Sequence, residues 1–134
     1  MKFLMIVLLM VTFLFGCAKG FKEGDPLTGE ELALAQEAAK LTGKVNEFTE
    51  DVPSPINDQW SQFAENVKLF DNSCQRLSCN SLEARNHFNH LRYYAVQLDK
   101  IITKEAHPAI YAEWTEIRKD YVDAIGRELG YRIE

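Results

Sequence analysis

The stretch NSLEARNHFNHLRYYAVQLDKII, residues 80–102, decides the fold. Its apolar residues Ala84, Phe88, Leu91, Ala95, Leu98 and Ile102 recur at alternating steps of four and three. An α-helix turns once in 3.6 residues, so these side chains form one stripe on one face. Asn80, followed three residues on by Glu83, reads as a capping box that opens the helix.

The same pattern occurs on either side. Upstream, Ile56, Trp60, Phe63, Val67 and Phe70 form a seam, with Ser54 as expected N-cap and Pro55 as a first-turn residue. Before that, Leu34, Ala38, Leu41, Val45 and Phe48 form another. There Thr28 and Glu31 read as a capping box, and Leu27 and Leu32 as a hydrophobic staple. Downstream of His107-Pro108 comes a fourth seam of Ile110, Trp114, Ile117, Tyr121 and Ala124, which Gly130 is placed to end. No segment alternates apolar and polar residues, so no sheet is expected. Four such helices joined by short loops predict an all-α domain, an up-down-up-down antiparallel four-helix bundle.

The chain has 134 residues and a formal charge of −5. Residues 18–72 carry eleven acids against five bases, and the remainder up to Glu134 carries nine of each. An acidic half of this kind argues against nucleic acid, whose phosphates require a concentrated basic surface. The expected partner is a protein or a small molecule.

Residues 3–15 are apolar apart from Thr12 and follow a positive start at Lys2. A spanning helix needs about 20 apolar residues, so the run is too short to cross a membrane and fits the core of a signal peptide. It ends in Leu14-Phe15-Gly16-Cys17, which resembles the lipobox of bacterial lipoproteins. That resemblance covers residues 1–17 alone. It implies diacylglyceryl transfer to Cys17, cleavage after Gly16, and an address in the bacterial cell envelope. The expected organisation is a signal over residues 1–16, a lipidated tether over 17–26 and the helical domain over 27–134. Two or three acyl chains anchor stably where one is marginal. In the lipoprotein class, Ala18 in place of Asp favours the outer membrane, facing the periplasm.

With Cys17 lipidated, Cys74 and Cys79 remain as a pair, and an oxidising periplasm favours their disulfide. Five residues of continuous helix would rise about 7.5 Å, beyond the usual Cα separation, so the chain must turn between them.

Chemistry-bearing motifs are sparse. There is no G-x-S-x-G, no phosphate-binding Gly-rich loop and no Glu-x-x-His of the ferritin-like type, so neither enzymatic activity nor a cofactor is expected. His87 and His90 could supply two ligands of a metal site, in a groove that also involves Tyr94, and define an alternative reading as a periplasmic ligand- or metal-binding bundle. Arg85 and Arg92 repeat at seven residues and read as a solvated flank. Tyr93 lies opposite the core stripe. Tyr111, Val122, Ile125 and Leu129 form a second apolar strip about 60–120° from the Ile110 seam. This strip is the candidate partner-binding surface, although it would equally serve to widen the core face. The leading expectation is an envelope-anchored accessory lipoprotein that acts as a protein-binding helical module.

Overall fold

A computed structural model of the protein describes residues 23–132. Cys17, the signal sequence and most of the tether lie outside them. Helix α1 is Gly29–Thr49. A 3₁₀ turn, Ser54–Ile56, leads into α2, Asn57–Arg76. Helix α3 is Leu82–Ile101. A fourth helical stretch consists of α4 (Pro108–Glu116), a π-helical segment (Ile117–Asp123) and α5 (Ala124–Glu128). The described residues contain no strand.

The seams of α1, α2 and α3 are buried as their periodicity predicts, from Leu34 through Phe48, from Ile56 through Phe70, and from Ala84 through Ile102. Phe48, Trp60, Phe63 and Trp114 pack as an aromatic cluster, with Trp60 edge-on to Trp114 at 6.1 Å. Further along the core, Phe70 meets Phe88 at 5.0 Å and Phe88 meets Tyr131 at 5.1 Å. Each indole also satisfies its polar end. Trp60 Nε1 donates to Thr49 Oγ1 and Trp114 Nε1 to Asp99 Oδ1, both at 2.9 Å. Polar links join neighbouring helices: Gln75 Nε2 donates to the Ala35 carbonyl at 2.8 Å, and Thr42 Oγ1 to Asp71 Oδ2 at 3.0 Å.

The helix starts depart from the expected caps. Thr28 precedes α1 with extended backbone but accepts no capping hydrogen bond, and Leu32 is exposed, so neither box nor staple forms. Gly29 explains this. Its φ of 58° turns the chain left-handed just after Thr28, where a capping box needs helical backbone. Ser54 lies inside the 3₁₀ turn rather than capping it, and its carbonyl accepts the Asn57 N–H. At α3 the cap falls one residue later than expected. Ser81 Oγ accepts the Ala84 N–H at 3.2 Å, while Asn80 accepts from the Arg85 guanidinium. Glu83 is thereby freed to face α2, where it accepts from Ser73 Oγ at 2.6 Å and pairs with Arg76.

The fourth stretch holds the largest correction. Tyr121 and Ala124, expected in the seam, are only half-buried. Val122, Ile125 and Leu129 are buried instead, at 1, 1 and 4 % exposure. The π-helical segment is the cause. Its wider turn adds about one residue to the step from Ile117, so the core position passes from 121 to 122 and stays shifted afterwards. Gly130, with φ 86°, then closes the helix as expected. Tyr131 N–H donates to the Gly126 carbonyl at 2.8 Å and Gly130 N–H to Arg127 at 3.1 Å, the paired bonds of a Schellman end.

Candidate functional site

The fourth helical stretch packs against α1 and carries a groove on each side. The groove between α1 and α5 has a volume of about 380 Å³. Its floor is apolar, made by Leu34 and Ile125 with Ala33 and Ala124, and its rim carries Glu30, Glu37 and Glu128. The periodicity of α1 explains this composition. Leu34 belongs to the core stripe, while Glu30 and Glu37, four residues before and three after it, flank the stripe on the side of α5. None of the three glutamates forms an ion pair with a residue of another described element; Glu37 pairs only with Lys40, one turn away on α1, at 3.2 Å. The groove thus offers apolar contact beneath a negative rim.

The groove between α3 and the fourth stretch, about 260 Å³, is different in kind. Asp99 accepts from Trp114 Nε1 and from Arg118 Nε at 3.0 Å, and Arg118 also pairs with Asp123. Both of its carboxylates are thus paired with Arg118 from within the chain. Tyr111 lies on its edge at 36 % exposure. At the far end of α1, Lys44 approaches Glu116 at 3.5 Å, and that carboxylate holds the ammonium pKa above its ordinary value.

Of the expected contact strip, only Tyr111 is exposed. Val122, Ile125 and Leu129 belong to the core because of the π-helical segment, so the strip is not a free surface. Ile125 nonetheless contributes to the acidic groove from beneath. Two overlapping apolar seams offset by one residue, Ile117–Tyr121 against Ile117–Val122, were the sequence signal of that inserted residue. The Asp99–Trp114–Arg118 network left no such signal, because Asp99 lies on α3 and meets the other two only in the folded domain.

Cys74 and Cys79 lie at disulfide distance, with sulfurs 2.13 Å apart and Cα atoms 4.1 Å apart. The turn that brings them together is tied by Ser78, whose carbonyl accepts from Ser81 Oγ at 2.7 Å. Next to it, the Ser73 hydroxyl, and then Arg76, hold the Glu83 carboxyl below the usual carboxylate range. His87 is half-buried and His90 exposed. Among the described residues no three His, Cys, Asp or Glu side chains gather as a metal site, so nothing joins His87 and His90 as a third ligand. Tyr94 packs edge-on against Tyr93 at 5.2 Å. No helix among the described residues is long and apolar enough to cross a membrane.

Comparison with protein-family models, curated proteins and solved structures finds no match to this chain.

Proposed function

We propose that this chain is an accessory lipoprotein of the bacterial envelope, anchored through Cys17 and facing the periplasm, whose helical domain binds another envelope protein. In this reading the four helical stretches form an up-down-up-down antiparallel bundle. The residue pairs Phe48–Trp60, Phe70–Phe88 and Asp99–Trp114 support that order, since each joins positions on consecutive helices close to their connection or one level further along. The observation that carries the binding role is the groove between α1 and α5: an apolar floor under an acidic rim that, among the described residues, meets no cation from another element. The groove between α3 and the fourth stretch instead holds an internal Asp99–Arg118–Asp123 network.

A partner suited to this groove is a cationic amphipathic segment. Apolar side chains at helical spacing would cover Leu34 and Ile125, while Lys or Arg on the flanks would meet Glu30, Glu37 and Glu128. The test is site-specific photo-crosslinking in intact cells. A photoreactive residue at Gln36, on the rim, should give a discrete adduct whose partner peptide is basic and amphipathic. One at Gln59, exposed on α2, should not. Glu30→Lys with Glu37→Lys should abolish the adduct at unchanged melting temperature. Equal adducts from both positions, or an acidic crosslinked peptide, would contradict the reading.

A further inference from the structure

We infer that Arg85 and Arg92 form a binding site for a phosphate group. They stand seven residues apart on α3, and their guanidinium carbons lie 5.9 and 4.8 Å from the centroid of one ring, Tyr131. Both side chains are half-buried. Arg85 donates to the Asn80 carbonyl and side chain, and Arg92 Nη2 to the Arg132 carbonyl at 3.0 Å. Each guanidinium has five N–H donors, so several remain for a ligand. Among the described residues neither arginine has a carboxylate within 4.0 Å, whereas Arg76 and Arg118 each do.

Holding Tyr131 in place does not account for this arrangement. Its ring already packs on Phe88 at 5.1 Å, and its N–H closes the helix end on Gly126. The face of an aromatic ring attracts one cation, but two cations brought to the same ring repel each other. A phosphate bound beside these guanidiniums offsets that repulsion, and the planar fork of a guanidinium matches its oxygens.

The position points to a source. Glu23 lies 3.6 Å from Arg76, and Arg76 pairs with Glu83, two residues before Arg85. The chain therefore leaves toward Cys17 from the end of the domain that bears Arg85, and six residues span at most roughly 20 Å. Under the lipid-anchor reading, on which only the source of the phosphate rests, membrane headgroups lie within that distance of Glu23.

The test is an NMR titration of the full chain in micelles of a phosphate-free maltoside detergent, following arginine Nε–H signals. Sodium phosphate should shift Arg85 and Arg92 saturably relative to sodium chloride at matched ionic strength, and leave Arg118, held by Asp99, unmoved. In phosphatidylglycerol discs the same shifts before phosphate is added identify a headgroup as the source. A response to dissolved phosphate alone identifies free phosphate, and either outcome supports the site. Failure of lipidation at Cys17 would leave the dissolved-phosphate arm intact, so the two ideas fail separately. No saturable shift under either condition would overturn the proposal. So would a response that appears only in Glu134→Gln, because the Glu134 side chain would then be closing the pair.

Discussion

Val122→Asp separates the two registers of the fourth helical stretch. Val122 is 1 % exposed, immediately after the exposed pair Lys119 and Asp120 and the half-buried Tyr121. Loss of the buried isopropyl group costs about 2 kcal/mol. Placing a carboxyl group there without a partner costs a further 2–7 kcal/mol or so, depending on how well water reaches it. The sum, roughly 4–9 kcal/mol, is comparable with the about 5–15 kcal/mol that holds a domain of this size together. Urea unfolding followed by circular dichroism should therefore show the variant mostly unfolded or melting far below wild type, while Asp120→Ala, on the exposed side of the same turn, stays within about 0.5 kcal/mol of wild type. A Val122→Asp protein as stable as wild type would mean that the side chain faces solvent and that α4 continues without the π-helical segment.

Three other changes probe local features. Reduction of the Cys74–Cys79 pair should lower stability by about 2 kcal/mol, the loop-entropy value for so short a closure, without unfolding the domain; thermal melts with and without reductant measure it. Gly43→Ala should stabilise the domain by about 1 kcal/mol in urea titration, because Gly43 is exposed inside α1 and an added Cβ meets nothing within 4 Å. Glu83 has a lowered pKa in the folded state, so its contribution is present above the ordinary carboxylate pKa of 4.5 and is lost as pH falls from there through the lowered folded value. Glu83→Gln should flatten the acid side of a stability–pH curve below pH 4.5, by a small amount because the side chain is 43 % exposed.

The helices were legible because burial imposes a period. Once Phe88, Leu91, Ala95 and Leu98 fall on one stripe, a helix is the conformation that hides them together. Their starts were less legible, because a cap depends on backbone angles that composition does not set. Asn80 and Ser81 both have capping side chains, and the turn between the cysteines chose Ser81. The π-helical segment was written in the sequence as two competing seams, but only packing against α1 decides which one is buried. The acidic groove was half visible. Glu30, Glu37 and Leu34 share a neighbourhood on one helix, whereas Glu128 and Ile125 join them only when the fourth stretch folds back on α1. Likewise the heptad spacing of Arg85 and Arg92 was plain, but their shared ring, Tyr131, lies 39 residues beyond Arg92.

Envelope address, partner class and headgroup source all depend on the acylation of Cys17. Metabolic labelling with a fatty-acid analogue, followed by mass analysis of the purified N-terminus, tests it directly. The wild-type protein should carry the label on a mature chain that begins at Cys17, and Cys17→Ser should accumulate as an unlabelled, full-length precursor. A wild-type protein that takes up no label and retains residues 1–16 would contradict the lipoprotein reading.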